Sequence, residues 1–432
     1  MWQAHALQLL RLRRKVRLIF TEPEFSIFDF ASCISEAMDL VSPFLNNHHK
    51  KVAYLSYRIS VQMGLPDDEV IDIVLAAVLH DIGAFTVEER LDVIQSKFRD
   101  SSYDQHSVMG YNLLKGFQPL SNAAAIIKHH HAHYGEATEG VPQGSHVVHL
   151  ADRVSVMLSD QEEVFGQVPG IMREIETNRA MFHPDSLKAL KELEGLEYFW
   201  IEACLVPAGY TLPDRLRNAR ELVDLESLRS FAKVIAHFID YRSRFTSTHS
   251  SGVAAVALEL TRLSGFSERE CRLMEIAGFF HDIGKLAISN DILEKNSALS
   301  DEEINEMRKH TYYTYVILNK IKGLEHISTW AAHHHEKLDG SGYPFHVRGE
   351  NFSKLSRIMA VADIFTAITE DRPYRAGMSS EDSMRVLRNL VHNNSVDGAV
   401  VALAAENVTH LIKVRAKAQQ EAFAEYAAFR NI

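Results

Sequence analysis

The stretch His281-Asp282-Ile283-Gly284-Lys285 recurs almost unchanged in the first half of the chain, as His80-Asp81-Ile82-Gly83. Another histidine precedes each copy by 32 residues, His249 in the second half and His48 in the first. Because the same histidine–aspartate spacing occurs in both halves, the sequence indicates two copies of one structural unit.

The repeat extends to seven residues of metal-binding type in each half. In both halves a further histidine stands 24 residues before a histidine pair, and an aspartate ends the set. The first set is His48, His80, Asp81, His106, His130, His131 and Asp152. The second set is His249, His281, Asp282, His310, His334, His335 and Asp363. Such an ordered recurrence predicts a duplicated domain.

The apolar spacing around these residues is helical. Apolar residues recur at intervals of three and four through 253–263, and Ser264-Gly265 follows as a stop signal. Two capping-box patterns, at 267–270 and 300–303, predict the starts of two further helices, of which the second carries His310. No alternating strand pattern competes, so the sequence predicts an all-α fold.

The length of 432 residues exceeds what one ordinary core accommodates. The repeat and the proline-broken polar stretch between its copies predict a first domain at 1–159, a helical connector at 160–225 and a second domain at 226–432. A composition of 46% hydrophobic and 24% charged residues is typical of a folded protein.

Charge and cysteine content restrict the classes of function. A net charge of −11 argues against binding a nucleic-acid polymer, whose phosphates it would not neutralise. The three cysteines lie far apart, which indicates a reduced, cytoplasmic protein. No apolar run reaches the roughly 18 residues that a membrane span needs.

The second set of residues suits a transition-metal centre. Imidazole and carboxylate bind iron, manganese, cobalt, nickel and zinc, and this set exceeds the needs of one ion. Asp282 has two oxygens and is the natural bridge between two ions, which would activate water for attack on a phosphate ester. Lys285, one turn further on, would bind the phosphate or protonate the leaving oxygen.

A loop comes after the histidine pair. In Glu336-Lys337-Leu338-Asp339-Gly340-Ser341-Gly342-Tyr343-Pro344 the glycines, Gly342 in particular, permit close backbone approach to a ligand. Tyr343 offers a face on which a base stacks. The loop therefore predicts a substrate-binding element beside the metal centre.

The His281-Asp282 pair and Gly342-Tyr343-Pro344 resemble the HD-GYP family of bacterial cyclic-dinucleotide phosphodiesterases, and the likeness covers the second half closely. The resemblance implies two HD-type helical bundles and hydrolysis of cyclic di-GMP or 3′,3′-cyclic GMP-AMP to the linear 5′-phosphorylated dinucleotide. It also implies two divalent ions, iron or manganese. The family's His-His-Glu order selects His334 and His335 from three consecutive histidines.

Further residues are assigned by this resemblance. Arg372 and Arg375 match basic positions that contact substrate phosphate in the family. Members with three metals carry a glutamate where this chain has Phe245, which favours a two-metal centre. Thr366 stands where the family commonly has an aspartate, and the base identity of the substrate stays open.

The first half keeps its seven residues but lacks the groups that surround them in the second. Ala84 replaces Lys285, Ala132 replaces Glu336, and no Gly-Tyr-Pro follows His131. Two interpretations remain: a non-hydrolytic domain that binds a metal or senses a signal, or a decayed copy kept as a packing partner.

Two other functions for the whole chain stay open on the sequence alone. One is an HD-type phosphohydrolase of another nucleotide, against which the Gly-Tyr-Pro loop argues. The other is a non-enzymatic protein that binds the dinucleotide and signals to a partner. A homodimer is compatible with each of these functions, since the sequence does not determine the oligomeric state.

Overall fold

Regular structure in the described part of the chain is helical, which confirms the all-α prediction. The computed structural model describes residues 26–39, 47–84, 105–136, 140–205, 224–241, 248–295, 297–371 and 375–430. Phe245 and Arg372 lie outside the described residues. Within the described residues, no helix combines the length and the apolar character that crossing a bilayer requires.

In the described part of the first half, six helices carry or support the candidate ligands, and three more come after them. The six are α1 (Ile27–Asp39), α2 (His48–Gln62), α3 (Asp67–Leu79), α4 (Gln105–Leu114), α5 (Ser121–Lys128) and α6 (Gln143–Met157). The three are α7 (Val164–Thr177), α8 (Pro184–Leu193) and α9 (Glu197–Leu205).

The second half repeats this order and extends it. Its helices are α10 (Leu225–Tyr241), α11 (His249–Leu263), α12 (Glu268–Phe280), α13 (Asn290–Leu293), α14 (Asp301–Asn319), α15 (Glu325–Ala332), α16 (Lys354–Thr369), α17 (Ser380–His392), α18 (Gly398–Glu406) and α19 (Val408–Arg430). Both predicted capping boxes are confirmed, Ser267 with Glu270 at α12 and Ser300 with Glu303 at α14.

Equivalent helices begin and end at equivalent residues. His48 opens α2 as His249 opens α11, and both helices run for 15 residues. Helices α3 and α12 each run for 13 residues and end immediately before the His-Asp pair. The duplication predicted from histidine spacing is therefore present in the helix bounds as well.

A glycine after each His-Asp pair brings two chain segments into backbone contact. A Cβ on Gly284 would overlap the carbonyl oxygen of His310, and a Cβ on Gly83 would overlap that of His106. Thr314 reinforces the first contact, because its hydroxyl donates to His281 O at 3.0 Å and accepts from Gly284 N at 3.0 Å. The absence of a side chain thus lets the His-Asp turn lie against the next histidine-bearing helix.

The two halves meet through α1 and α10. Phe30 and Phe231, which are 201 residues apart like His48 and His249, contact each other edge to face with ring centroids 4.5 Å apart. The Phe30 ring also lies 5.3 Å from Phe280, the last residue before His281. Helix α1 therefore packs both on its own domain and against the His-Asp segment of the other.

Helices α8 and α9 of the stretch predicted as a connector pack on α2. Tyr54 donates to Glu202 at 2.6 Å and Gln62 donates to Glu192 at 2.7 Å. The predicted domain bounds of 159 and 226 stay predictions.

Candidate metal centre

The seven candidate ligands of the second half come together from five helices and the turns that follow them. His249, His281 and Asp363 bring ligand atoms within 4.8 Å of one another, and so do His310, His334 and His335. His249 Nε2 lies 3.2 Å from Asp363 Oδ1. The set thus divides into two adjacent groups inside one helical bundle.

Asp282 lies between the two groups. Its Oδ2 is 3.1 Å from His281 Nε2, whereas its Oδ1 is 3.4 Å from His310 Nε2 and 3.9 Å from His334 Nε2. Burial would raise the pKa of this carboxyl, but His281 and Lys285 outweigh burial and hold that pKa well below its usual range. An ionised carboxylate with one oxygen toward each group is what a bridging ligand requires.

Backbone carbonyls orient three of the histidines. The Nδ1 atoms of His281, His310 and His334 lie 2.8, 2.6 and 2.7 Å from the carbonyl oxygens of Gly278, Met307 and Ala331. Donation from Nδ1–H leaves the Nε2 lone pair for a metal. Burial lowers the pKa of His310 to about 3, so this imidazole is neutral, as a ligand must be.

His249 is oriented by a carboxylate that sequence reasoning missed. Its Nδ1 lies 3.0 and 3.1 Å from the two oxygens of Glu370, a buried residue that also accepts from Gln419 at 2.9 Å. Burial would lower the pKa of His249, but Glu370 and Asp363 raise it to about 10 in the absence of a cation. Glu370 follows the end of α16, where no spacing rule singled it out.

The structure brings His334 and His335 into the cluster and leaves His333 outside it. The His333 ring packs against Phe345 and Phe352, with ring centroids 5.5 and 6.3 Å away. Burial lowers the pKa of His333 to about 4, which is the behaviour of a neutral core histidine.

The Gly-Tyr-Pro loop is held by the residue after the histidine pair. The buried Glu336 carboxylate accepts from Phe345 N at 2.6 Å and from Val347 N at 3.0 Å. Gly342 packs on the backbone of its own loop, since a Cβ there would lie 2.5 Å from Glu336 Cα. The close approach that this glycine permits is thus to the chain itself, and Glu336 makes the loop a fixed wall of the site.

Tyr343 stands at the edge of the cluster. Its ring lies 5.1 Å from that of His335, and the Arg308 guanidinium of α14 lies 5.3 Å from the Tyr343 ring centroid. His335 keeps 34% of its side chain exposed, so the cluster is open to solvent on this side. Arg308 had no signal in the sequence, because only the fold brings it to Tyr343.

The predicted cations have different surroundings. Lys285 donates to Asp282 Oδ2 at 2.6 Å. Burial alone would lower the pKa of Lys285, but Asp282 outweighs burial and raises it. Arg375 donates to the backbone oxygen of Ala367 at 2.7 Å, so part of its guanidinium is committed to α16. Thr366 is buried, and its hydroxyl has no hydrogen-bond partner among the described residues.

The seven candidate ligands of the first half also lie together. His48 Nε2 is 3.3 Å from Asp152 Oδ1, and His80 Nε2 is 3.3 Å from Asp81 Oδ2. Asp81, His106, His130 and His131 form one group within 4.8 Å. Arg153 donates to Asp152 Oδ2, and the buried Ala84 occupies the place of Lys285. The first domain thus keeps a candidate metal cluster while the lysine beside it is absent.

Comparisons with known proteins find the same duplication. The HD domain family matches twice, at residues 46–157 and 233–400. A 3′3′-cGAMP-specific phosphodiesterase 1 of Vibrio cholerae serotype O1 is 29% identical over 87% of this chain and 90% of its own length. The cyclic di-GMP phosphodiesterase response regulator RpfG of Xanthomonas campestris pv. campestris is 35% identical over 41% of this chain, which spans 47% of that protein.

A solved structure shares the fold. The crystal structure of a cyclic GMP-AMP specific phosphodiesterase of V. cholerae, V-cGAP3, matches with a TM-score of 0.61. It covers 89% of this chain and 98% of the other at 20% identity, so the likeness is one of fold.

Proposed function

Because the chain belongs to the HD-GYP family of tandem HD-domain cyclic-dinucleotide phosphodiesterases, we propose that its second domain opens a cyclic dinucleotide to the linear 5′-phosphorylated dinucleotide. One observation carries the assignment of the site: a cluster of five histidines and two aspartates lies open to solvent beside Tyr343. The first domain keeps a cluster but has neither Lys285 nor the Gly-Tyr-Pro loop, so hydrolysis is assigned to the second alone.

The donor set of the second domain fits divalent transition metals. Imidazoles held in a fixed orientation and carboxylates held ionised are the ligands that iron or manganese takes. His249, His281 and Asp363 would hold one ion, His310, His334 and His335 a second, and Asp282 both. Such ions supply a water of lowered pKa and positive charge for phosphate oxygens.

The remaining residues bind and orient the substrate. Lys285, fixed by Asp282, is placed to contact a phosphate oxygen or to protonate the departing ribose oxygen. Tyr343, between His335 and Arg308, offers a face for a base, and the wall built on Glu336 and Gly342 holds that face in position. Arg372 and Arg375 stay candidates for a second phosphate contact.

We propose the mixed guanine–adenine ring, rather than cyclic di-GMP, as the preferred substrate. This preference is supported by the relative that matches along most of its length, which is named for 3′3′-cGAMP. The cytoplasmic location stays the one predicted from the cysteines. The homodimer stays a prediction.

The test is hydrolysis by the full-length protein, purified without oxygen and analysed for metal. Incubation with each ring, followed by chromatography, should yield linear dinucleotide, faster from 3′3′-cGAMP, and only from metal-loaded protein. The Asp282→Ala variant is the matched control, because it removes the oxygen atoms that join the two groups. Absence of product from either ring at full metal content would contradict the proposal.

A further inference from the structure

His49, the residue after the first candidate ligand of the first domain, is completely buried. Its Nδ1 lies 2.5 Å from Asp39 Oδ1 at the end of α1, and its Nε2 lies 4.0 Å from Asp81 Oδ2. The equivalent residue of the second domain is Ser250, which donates from its backbone and hydroxyl to Asp240 at 3.0 and 2.9 Å. One copy therefore places an imidazole where the other has only a hydroxyl.

Around His49 lies a group of buried polar atoms that make no hydrogen bond with any other described residue. They are the Nε2 atoms of His48, His49 and His80, both oxygens of Asp81, and Asp152 Oδ1. Burying such atoms without partners costs free energy of folding. A group of them in one place therefore indicates a partner that they share.

The distances indicate where that partner lies. Pairs of these atoms are 3.3 to 4.0 Å apart, as for His48 with Asp152, His80 with Asp81 and His49 with Asp81. Yet none makes a hydrogen bond of normal geometry with its described neighbours. His49, His80 and Asp81 bring ligand atoms within 4.8 Å of one another, and so do His48, His80 and Asp152, so that His80 belongs to both groups. Nitrogens and oxygens this close without hydrogen bonds between them are the arrangement that a shared cation would stabilise.

Each imidazole is held with its Nε2 inward. His48 Nδ1 lies 3.2 Å from Ser155 Oγ, His80 Nδ1 lies 2.9 Å from Ala77 O, and His49 Nδ1 is paired with Asp39. A partner on Nδ1 fixes the ring and directs the other nitrogen to a metal. Three imidazoles and two carboxylates suit a first-row divalent ion.

We propose that His49 is a metal ligand, and that with His48, His80, Asp81 and Asp152 it closes one metal position of the first domain against solvent and substrate. Arg153 takes the second oxygen of Asp152, which leaves that carboxylate one oxygen for the ion. A site whose ligands all come from protein is typical of a structural metal, whereas a catalytic site keeps a position open. This role is separate from the hydrolysis proposed for the second domain.

The test uses full-length protein loaded with Mn²⁺ and then challenged with excess chelator, with retained manganese measured over time. Wild type should show a fraction that leaves at least about tenfold more slowly than the rest, and His49→Ser, which copies Ser250, should lose that fraction. His146→Ser is the control, because His146 is also buried in this domain, with an Nδ1 that no described residue bonds, but lies outside the group. An unchanged slow fraction in His49→Ser overturns the proposal.

A second measurement covers the case in which His49→Ser does not fold. Crystals of wild-type protein loaded with Mn²⁺ should show an anomalous peak about 2.0–2.3 Å from His49 Nε2. A peak bonded to the other four residues but not to His49, or no peak in this domain, overturns the assignment. Neither measurement depends on hydrolysis, so the proposed function can fail without affecting it.

Discussion

The two clusters share their seven candidate ligands and differ in the residues beside them. Equivalent ligands are buried alike, since His48 and His249 are each 5% exposed and His80 and His281 are 0% and 1% exposed. In the second domain, Lys285 and Tyr343 lie next to the cluster. In the first, Ala84 takes the place of the lysine, and no Gly-Tyr-Pro loop follows the histidine pair. Duplication thus kept the scaffold of a metal site and changed the groups that would contact a substrate.

The largest expected effect is on the rate of hydrolysis, and it should differ between the aspartates of the two His-Asp pairs. Asp282→Ala should lower hydrolysis on the order of a thousandfold, because it removes the carboxylate shared by both groups of ligands. Asp81→Ala, its equivalent in the first domain, should leave the rate within about threefold of wild type, since that domain has no substrate loop. Rates with 3′3′-cGAMP for both variants make the comparison. Equal losses would mean that the two clusters act together in hydrolysis.

The next effect concerns the loop that distinguishes the domains. Gly342→Ala should lower kcat/KM about 10- to 100-fold, because the added Cβ overlaps the Glu336–Lys337 backbone and displaces Tyr343. Metal content should not change, because the displaced loop contains none of the candidate ligands.

Gly195→Ala is the control for this loop variant, since a Cβ at Gly195 meets no atom within 4 Å. Kinetics and metal analysis of the two variants test the prediction. A loss of metal in Gly342→Ala would show instead that the loop supports the ligands.

A smaller effect is expected from Glu370, whose carboxylate bonds His249 Nδ1 in the second domain. Glu370→Gln should weaken metal retention or activity about 10-fold, toward the lower end for a residue that orients a ligand. The neutral amide still bonds His249 but no longer raises its electron density. Metal titration of the variant measures the effect, and affinity equal to that of wild type would make Glu370 a packing residue.

The smallest effect is expected at Ser155, whose hydroxyl bonds His48 Nδ1 in the first domain. Ser155→Ala removes only a neutral hydrogen bond to His48 Nδ1, worth about 1 kcal/mol, so release of metal from the first domain should speed up less than about tenfold. Chelator-challenge kinetics measure it. An effect larger than that of Glu370→Gln would mean that Ser155 contributes more to metal retention than Glu370 does.

Much of the scaffold was predictable because metal chemistry imposes spacing on a helical chain. Histidines at fixed intervals locate α2, α3 and α5 and their equivalents, and capping boxes locate two helix starts. Of the three consecutive histidines, His334 and His335 lie in the cluster and His333 lies among phenylalanines.

The residues that sequence reasoning missed act across long separations. Glu370 reaches His249 from 121 residues away, and no periodicity encodes that contact. His49 was overlooked because only the neighbouring His48 has an equivalent in the repeat. Gly342 was predicted to permit ligand approach, and its packing on the backbone of its own loop had no signal in the sequence. The sequence repeat identifies equivalent positions in the two halves. Which of the differences between the halves affect the site is determined by contacts that form only in the folded protein.

The contact between Phe30 and Phe231 has a consequence for how far the two domains can differ. Residues at the same position of the repeat touch each other here, edge to face, within one chain. They lie on α1 and α10, helices that carry none of the candidate ligands. The ligand surroundings of the two copies can therefore diverge, down to the loss of a lysine and a loop in one of them, while the surface that joins the domains is kept.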